Sequence, residues 1–249
     1  MSALLLAACR TDNSGKASPS TAPGLSGPLT VFAAASLTET FGDLQTALKT
    51  SSPSLSLIYS FAGSGALVTQ IQQGAPADVI ATADVASMKK LADAGLVGPP
   101  VTFARNKLQI LVAPGNPRGI RSLSDLSRPN IKLVTEDESV PAGKYSAQVL
   151  RAAGVTVRPV SKETDVKAAV AKVTAGEADA TIVYVTDVTA AGSKSQGVDI
   201  PDAENVVAEY PIAVVKGTTN GVAAAAFVDA VVKGSGRLAL AGRGFLPAA

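Results

Sequence analysis

The chain has 249 residues, of which 47% are hydrophobic and 17% are charged, and its formal net charge is +2 at pH 7. A chain of this length can bury a sizeable core, either as one large domain or as two small ones. It contains no histidine and one cysteine. This composition excludes Ser-His-Asp and Cys-His catalysis, histidine-containing zinc sites and an intramolecular disulfide. It favours binding over catalysis, and the near-neutral charge argues against a nucleic-acid partner.

The first nine residues resemble the end of a bacterial lipoprotein signal. An apolar stretch leads into Leu6-Ala7-Ala8-Cys9, which has the pattern of a lipobox whose cysteine is lipidated. No basic segment precedes it, so we interpret residues 1–9 as a truncated signal. Residues 10–28 are rich in Ser, Thr, Gly, Pro and Ala and predict a flexible tether. The alternative is a free thiol in a chance apolar N-terminus.

The first predicted strand, Leu29–Ala35, runs through three alanines directly into a predicted helix. Ser36, followed three residues later by Glu39, has the pattern of a capping box, which places the helix start at Ser36. A helix start binds anions well because its first N–H groups are free and the helix dipole is positive there. An ordinary strand-to-helix turn with a good N-cap shows the same pattern.

A second junction of the same kind follows. The predicted strand Leu55–Phe61 ends in Ala62-Gly63-Ser64-Gly65, and a helical pattern begins there. Ser64 is therefore another serine at a strand-to-helix junction, and its flanking glycines allow a close backbone approach. The carboxyl ends of neighbouring parallel strands meet at one edge of a sheet. The pair of junctions therefore predicts one anion-binding crevice.

Strands and helices continue to alternate along the chain. Further strands are predicted over 77–83, 109–113, 131–135, 180–185 and 209–215, and further helices over 84–94, 141–153, 166–175 and 222–233. This alternation predicts an α/β fold with mainly parallel sheets. The acidic run 136–138 is interpreted as a solvated loop. No later apolar run has the length of a membrane span.

Six motifs stand in the order and at the spacing found in periplasmic molybdate-binding proteins of ABC importers. The chain resembles that family from Leu29 to its C-terminus. The motifs are Val31-Phe-Ala-Ala-Ala-Ser-Leu-Thr38, Phe61-Ala-Gly-Ser64, Gly74-Ala-Pro-Ala-Asp78, Val140-Pro-Ala-Gly143, Ile182-Val-Tyr184 and Glu209-Tyr-Pro-Ile-Ala-Val-Val215.

The resemblance implies a two-lobed periplasmic-binding-protein fold of type II, in which each lobe is a mainly parallel sheet flanked by helices. Lobe one would comprise residues 29–104 plus 212–249, and lobe two residues 105–211. The two hinge crossings would fall near Ala104–Lys107 and Glu209–Pro211.

The resemblance also implies the anion ligands. Ser36 and Ser64 match two serine ligands from lobe one, and Tyr184 matches a phenol donor from lobe two. Ala142 and Val166 match backbone N–H donors from lobe two. Next to Ser64, two glycines stand where relatives can carry serines, which leaves the number of donors there open.

The implied function is binding of molybdate, or of tungstate, and delivery to an ABC-transporter permease. The metal is bound as an oxyanion, without a cofactor, direct side-chain ligation of the metal or catalytic residues. The protein would be a monomer, lipid-anchored through Cys9 at the outer face of the cell membrane. The alternatives are a binder of another tetrahedral oxyanion such as sulfate or thiosulfate, an enzyme on the same fold, and an intracellular sensor domain.

Overall fold

The computed structural model describes residues 25–248, so Cys9 and most of the predicted tether lie outside the described residues. In this part of the chain the strands are β1 (Gly27–Ala34), β2 (Leu55–Ala62), β3 (Val79–Ala81), β4 (Val101–Val112), β5 (Val134–Glu136), β6 (Ser161–Glu163), β7 (Ala180–Tyr184), β8 (Gln196–Asp199), β9 (Val207–Val214) and β10 (Leu246–Pro247). The helices are α1 (Thr38–Ser51), α2 (Ser64–Gln72), α3 (Val85–Asp93), α4 (Pro141–Ala152), α5 (Val166–Thr174), α6 (Val185–Ala191), α7 (Gly221–Val232) and α8 (Ser235–Gly242). Because β1 begins at Gly27, the last two residues assigned to the tether belong to the sheet.

The main sheet is mixed. β1 runs parallel to β2 and β3, and β5 runs parallel to β6 in a separate two-stranded sheet. β9 pairs antiparallel with β3 and β4, and β4 pairs antiparallel with β7, β8 and β10. The prediction of mainly parallel sheets is therefore wrong for β4 and β9. These two strands carry the chain away from β1–β3 and back again, and strands of opposite direction pair antiparallel without a crossover helix.

One long strand joins two groups of elements. The first part of the 12-residue β4 pairs with β9, and residues 108–112 pair with β7 and β8. Ala104 lies opposite Tyr210 in this ribbon. We call the elements around β1–β3 the β1 side and those around β5–β7 the β7 side. The chain therefore passes between the two sides where the hinge crossings were predicted.

The central strands are buried on both faces. Val31 of β1 belongs to the large core cluster that contains Phe41 of α1. Its neighbour Phe32 points to the opposite face, where it belongs to a second cluster with Leu67 of α2 and Met88 of α3. Successive side chains of a strand alternate between faces, so an apolar run covered by helices on both sides is the expected result. This packing leaves the carboxyl ends of β1 and β2 at one open edge.

Five elements, namely α6, α8, β6, β8 and β10, were not predicted from the sequence. α6 follows β7 without a loop, and its start is fixed by the Asp187 carboxylate, which accepts a hydrogen bond from the Tyr184 backbone N–H at 3.3 Å. Tyrosine is not among the residues that mark an N-cap, so the boundary has no local signal. No helix within residues 25–248 combines the length and apolar character needed to cross a membrane.

Candidate functional site

A small cavity lies between the β1 side and the β7 side. The carboxyl ends of β1, β2 and β7 surround it, together with the starts of α2, α4 and α5. All the residues predicted to bind the anion line this one cavity. From the β1 side these are Ser36 and Ser64, and from the β7 side Ala142, Val166 and Tyr184.

The capping box predicted at Ser36 is wrong. Residues 35–37 form a 3₁₀ helix, α1 begins at Thr38, and neither helix start receives a side-chain cap hydrogen bond. The Ser36 hydroxyl instead lies 3.0 Å from the hydroxyl of Tyr210, and the Glu39 carboxylate accepts a hydrogen bond from Lys167 at 2.7 Å. Both side chains are thus engaged by distant parts of the chain. Ser36 remains buried at the cavity wall.

The two serine hydroxyls are available as donors. Ser64 Oγ accepts a hydrogen bond from the Ala83 backbone N–H at 3.1 Å, so its own proton is free for a ligand. Ser36 and Tyr210 share one hydrogen bond in which either hydroxyl can donate, and when Tyr210 donates, the Ser36 proton is free for a ligand. Burial raises the pKa of Tyr210, which keeps its hydroxyl protonated. The β1 side thus presents two hydroxyl donors.

The β7 side supplies backbone N–H groups. Ala142 is the second residue of α4 and Val166 is the first residue of α5. First-turn amides have no acceptor within their own helix. In α5 the N-cap Asp165 accepts hydrogen bonds from the two amides after Val166, at 2.9 and 3.0 Å. The Val166 N–H is thereby the first-turn amide that faces the cavity, at the positive end of the helix dipole.

Tyr184 contributes a hydroxyl with no hydrogen-bond partner among residues 25–248. The side chain is 1% exposed, and its hydroxyl makes no hydrogen bond within the described residues. The Tyr184 ring packs edge-on against Tyr210, with 5.7 Å between the ring centroids. Burial raises the pKa of Tyr184 well above its ordinary value, so the phenol stays protonated. A buried donor without an acceptor is costly, which indicates a ligand acceptor at this place.

The two glycines beside Ser64 lie at a close approach of the two sides. A Cβ atom at Gly63 would lie 2.6 Å from the Thr164 carbonyl oxygen and 2.6 Å from the Val140 side chain. A Cβ atom at Gly65 would lie 2.7 Å from the Ser139 carbonyl oxygen. Serine at either position requires the backbone of the β7 side to move. The glycines therefore allow the two sides to close tightly in this chain.

Among residues 25–248, those that line the cavity include no lysine or arginine. Asp165 is the one charged residue of this described lining, and one of its carboxylate oxygens is occupied by the two α5 amides. Binding of an anion here therefore depends on hydroxyls, amides and helix dipoles rather than on a cation.

One residue of the predicted acidic loop is buried. Glu136 ends β5 and is 1% exposed, whereas Asp137 and Glu138 are exposed. The prediction of a solvated loop is thus wrong for Glu136, because this residue is part of the strand. Burial, together with the nearby Asp187 and Asp165 carboxylates, raises the pKa of Glu136 to about 8. The carboxyl is therefore mostly neutral at pH 7.

Three residues near the cavity were missed as functional candidates. Tyr210 belongs to a recognised motif, Glu209-Tyr-Pro, but nothing local indicates that its hydroxyl reaches Ser36. Lys167 and Glu39 form an ion pair across the two sides, which no sequence spacing shows. Among residues 25–248, no group of three or more His, Cys, Asp or Glu side chains is arranged to hold a metal ion.

Comparison with known proteins gives consistent matches. A family model described as bacterial extracellular solute-binding protein matches residues 29–246. The chain is 41% identical to the molybdate-binding protein ModA of Mycobacterium bovis over 238 residues, which cover 93% of this chain and 90% of that protein.

Solved structures show the same architecture. The periplasmic molybdate-binding protein of Azotobacter vinelandii matches with a TM-score of 0.79 at 22% identity, covering 89% of this chain and 100% of that one. The sulfate-binding protein SubI of Mycobacterium tuberculosis matches with a TM-score of 0.75 at 23% identity, covering 88% and 86%. The fold is the two-lobed α/β binding-protein fold of type II, and β4 and β9 are its two crossings.

Proposed function

The chain belongs to the bacterial extracellular solute-binding protein family, and on that basis we propose that it binds molybdate, and tungstate nearly as well, between its two lobes. The family is one of solute-binding proteins, not of enzymes. One observation carries the proposal. Residues from distant parts of the chain converge on a single cavity, and each of them offers a hydrogen-bond donor.

The donor set favours a fully deprotonated tetrahedral anion. Three hydroxyls and two amides form the predicted set, and each hydrogen bond to a charged partner contributes about 1.5–3 kcal/mol. Molybdate, tungstate and sulfate are deprotonated near neutral pH and only accept hydrogen bonds. Hydrogen phosphate carries an O–H group, and leaving that group unpaired in a buried site costs about 1–3 kcal/mol. The five predicted donors thus disfavour phosphate.

We assign residues 29–104 plus 212–249 to lobe one and residues 105–211 to lobe two. Ser36 and Ser64 then belong to lobe one, and Ala142, Val166 and Tyr184 belong to lobe two. An anion that bonds to both sets stabilises the closed arrangement over an open one. The close contacts at Gly63 and Gly65 support tight closure.

The family is extracytoplasmic, and we infer a lipid anchor at Cys9 that holds the protein at the outer face of the cell membrane. From there it delivers its anion, as a monomer, to an ABC-transporter permease. The support is the Leu6-Ala-Ala-Cys9 motif followed by a Ser- and Pro-rich segment. Mass spectrometry of the protein purified from cell membranes tests this: an acylated Cys9 supports the anchor, and an unmodified thiol contradicts it.

Isothermal titration with molybdate, tungstate, sulfate and phosphate tests the proposed function. We expect the wild-type protein to bind molybdate and tungstate tightly. In Tyr184→Phe the affinity for molybdate should fall by about ten- to one-hundredfold, because the variant loses one hydrogen-bond donor to a charged ligand. Tyr59→Phe is the matched control, because the Tyr59 hydroxyl bonds to the Phe41 carbonyl oxygen and not to the cavity. Absence of heat with every anion contradicts the proposal.

The second candidate is binding of another tetrahedral oxyanion, sulfate or thiosulfate. The observation that favours it is that every predicted ligand is a hydrogen-bond donor, which contacts the oxygen atoms of the anion and not its central atom. The size of the cavity then determines which anion binds more tightly, because the molybdate tetrahedron is larger than the sulfate tetrahedron. Sulfate bound as tightly as molybdate in the titration would establish this alternative.

A further inference from the structure

A lysine beside the cavity bridges the two lobes. The Lys167 ammonium lies 2.7 Å from a Glu39 carboxylate oxygen and 3.1 Å from an Asp187 carboxylate oxygen. Glu39 is on α1 of lobe one, and the other two residues are at the starts of α5 and α6 in lobe two. The Asp187 side chain is fully buried, while those of Lys167 and Glu39 are about one-third exposed. One arm of the bridge thus crosses the cleft.

We propose that Lys167 is a positioning residue, which latches the lobes together through Glu39 and holds the lobe-two donors Val166 and Tyr184 in place against the anion. This inference rests on the proposed function and adds to it a determinant of how long the anion stays bound.

The contacts link the lysine to both donors. Lys167 directly follows Val166 at the start of α5, so its side chain anchors the turn that presents the Val166 N–H. Asp187 receives the Lys167 ammonium on one oxygen and the Tyr184 backbone N–H on the other. Movement of Lys167 away from Glu39 therefore disturbs the segments that carry both donors.

The electrostatics keep the latch charged. Burial acts to lower the pKa of Lys167, but Asp187 and Glu39 outweigh it and raise that pKa above its ordinary value. The Lys167–Asp187 and Lys167–Glu39 ion pairs differ in what their loss does to the protein. Removal of Lys167 leaves the buried Asp187 carboxylate without its cation, which destabilises a protein strongly. Removal of the Glu39 charge breaks only the arm between the lobes, so Glu39 is the position at which to test the latch.

The test is stopped-flow measurement of molybdate binding to Glu39→Gln and wild type. We expect the dissociation rate to rise about three- to tenfold, as for a partly screened ion pair, and the association rate to stay within about twofold. The unfolding temperature of the anion-free protein should fall by no more than about 4 °C, because the Lys167–Glu39 pair is partly exposed and contributes little to stability. Asp93→Asn is the matched control, because it removes the exposed Lys89–Asp93 pair, 2.7 Å long, which lies within lobe one. This control should leave both rates unchanged.

A second variant pair checks that Glu39 acts through Lys167. Lys167→Met with Asp187→Asn removes both charges together and keeps an oxygen that accepts the Tyr184 N–H. In this background we expect Glu39→Gln to have no further effect on the dissociation rate. An equal effect in both backgrounds, or an unchanged dissociation rate in Glu39→Gln alone, overturns the latch.

Failure of the proposed function can be distinguished from failure of the latch. If wild type binds none of the four anions, the latch is judged by amide hydrogen exchange of the anion-free protein. The latch then predicts faster exchange at the start of α5 in Glu39→Gln than in wild type, because the interlobe arm no longer holds this turn. Equal exchange overturns the latch in that case.

Discussion

Tyr210 connects two of the predicted ligands. Its hydroxyl lies 3.0 Å from Ser36 Oγ although 174 residues separate them, and the Tyr184 ring packs edge-on against its ring. Tyr210 itself does not line the cavity. A single buried side chain on β9 therefore orients a hydroxyl donor from each lobe.

We expect Tyr210→Phe to weaken molybdate binding about three- to twentyfold, because the ring contacts remain while the hydroxyl that holds Ser36 is lost. Titration calorimetry measures the change, and the phenol donor Tyr184 keeps its packing partner. Tyr59→Phe again serves as the control, since it also removes one tyrosine hydrogen bond. Equal losses of affinity in the two variants would show that the position of the hydroxyl is irrelevant.

Glu136 makes stability depend on pH. In the unfolded chain its pKa is about 4.5, and in the folded protein burial raises the pKa to about 8. The folded state thus holds the proton more tightly than the unfolded chain does. The contribution of the protonated Glu136 carboxyl to stability is complete below pH 4.5 and is lost as the pH rises to about 8. Relative to Glu136→Gln, the wild-type unfolding temperature should fall between about pH 4.5 and about pH 8. Glu138→Gln, at an exposed position, should not alter the profile.

At the scale of elements, the β2–α2 junction determines how far the lobes close. Gly63 has a φ of −59°, which suits any residue, so the need for glycine comes from its neighbours rather than from its backbone. The Thr164 carbonyl oxygen of the other lobe would lie 2.6 Å from a Cβ atom there. The clash exists only while the lobes are together.

Gly63→Ala should therefore weaken molybdate binding by about tenfold or more and leave the unfolding temperature of the anion-free protein unchanged. Gly42→Ala is the control, because a Cβ atom at Gly42 of α1 meets nothing within 4 Å. Titration and thermal unfolding of both variants measure the two effects. A Gly63→Ala protein that binds as tightly as wild type would show that full closure is not needed.

The sequence predicts local elements better than their long-range partners. The junctions before Ser36 and Ser64 were predicted because an apolar strand, small residues and a helical pattern follow one another directly. Ser36 was assigned to a capping box because its real partner, Tyr210, is far away in the chain. For the same reason nothing indicated the pairing of Lys167 with Glu39, or the burial of Glu136 at the end of β5. The wall of the cavity formed by Ser36 and Ser64 was predicted from the two junctions, whereas Ala142, Val166 and Tyr184 were predicted only through the family motifs.

At the scale of the whole molecule, β4 pairs with β9 along its first part and with β7 along its last part, so the β1 side and the β7 side should unfold together. Free molybdate at about 100 times its dissociation constant stabilises the folded state by about 2.7 kcal/mol. For a domain of this size, we expect the unfolding temperature to rise by roughly 5–10 °C in a single transition. Scanning calorimetry with molybdate, and with chloride at the same ionic strength, measures this shift. Two separate transitions would contradict the coupling.

The pairing of β4 with β9 places Tyr210 in the ribbon that joins the lobes, opposite Ala104. The hinge thus reaches the anion site through the hydroxyl of Tyr210 and the edge of its ring. Bending of this ribbon would move the residue that contacts both Ser36 and Tyr184. We therefore expect a change in the ribbon's curvature to alter the affinity for the anion without any direct contact to the ligand.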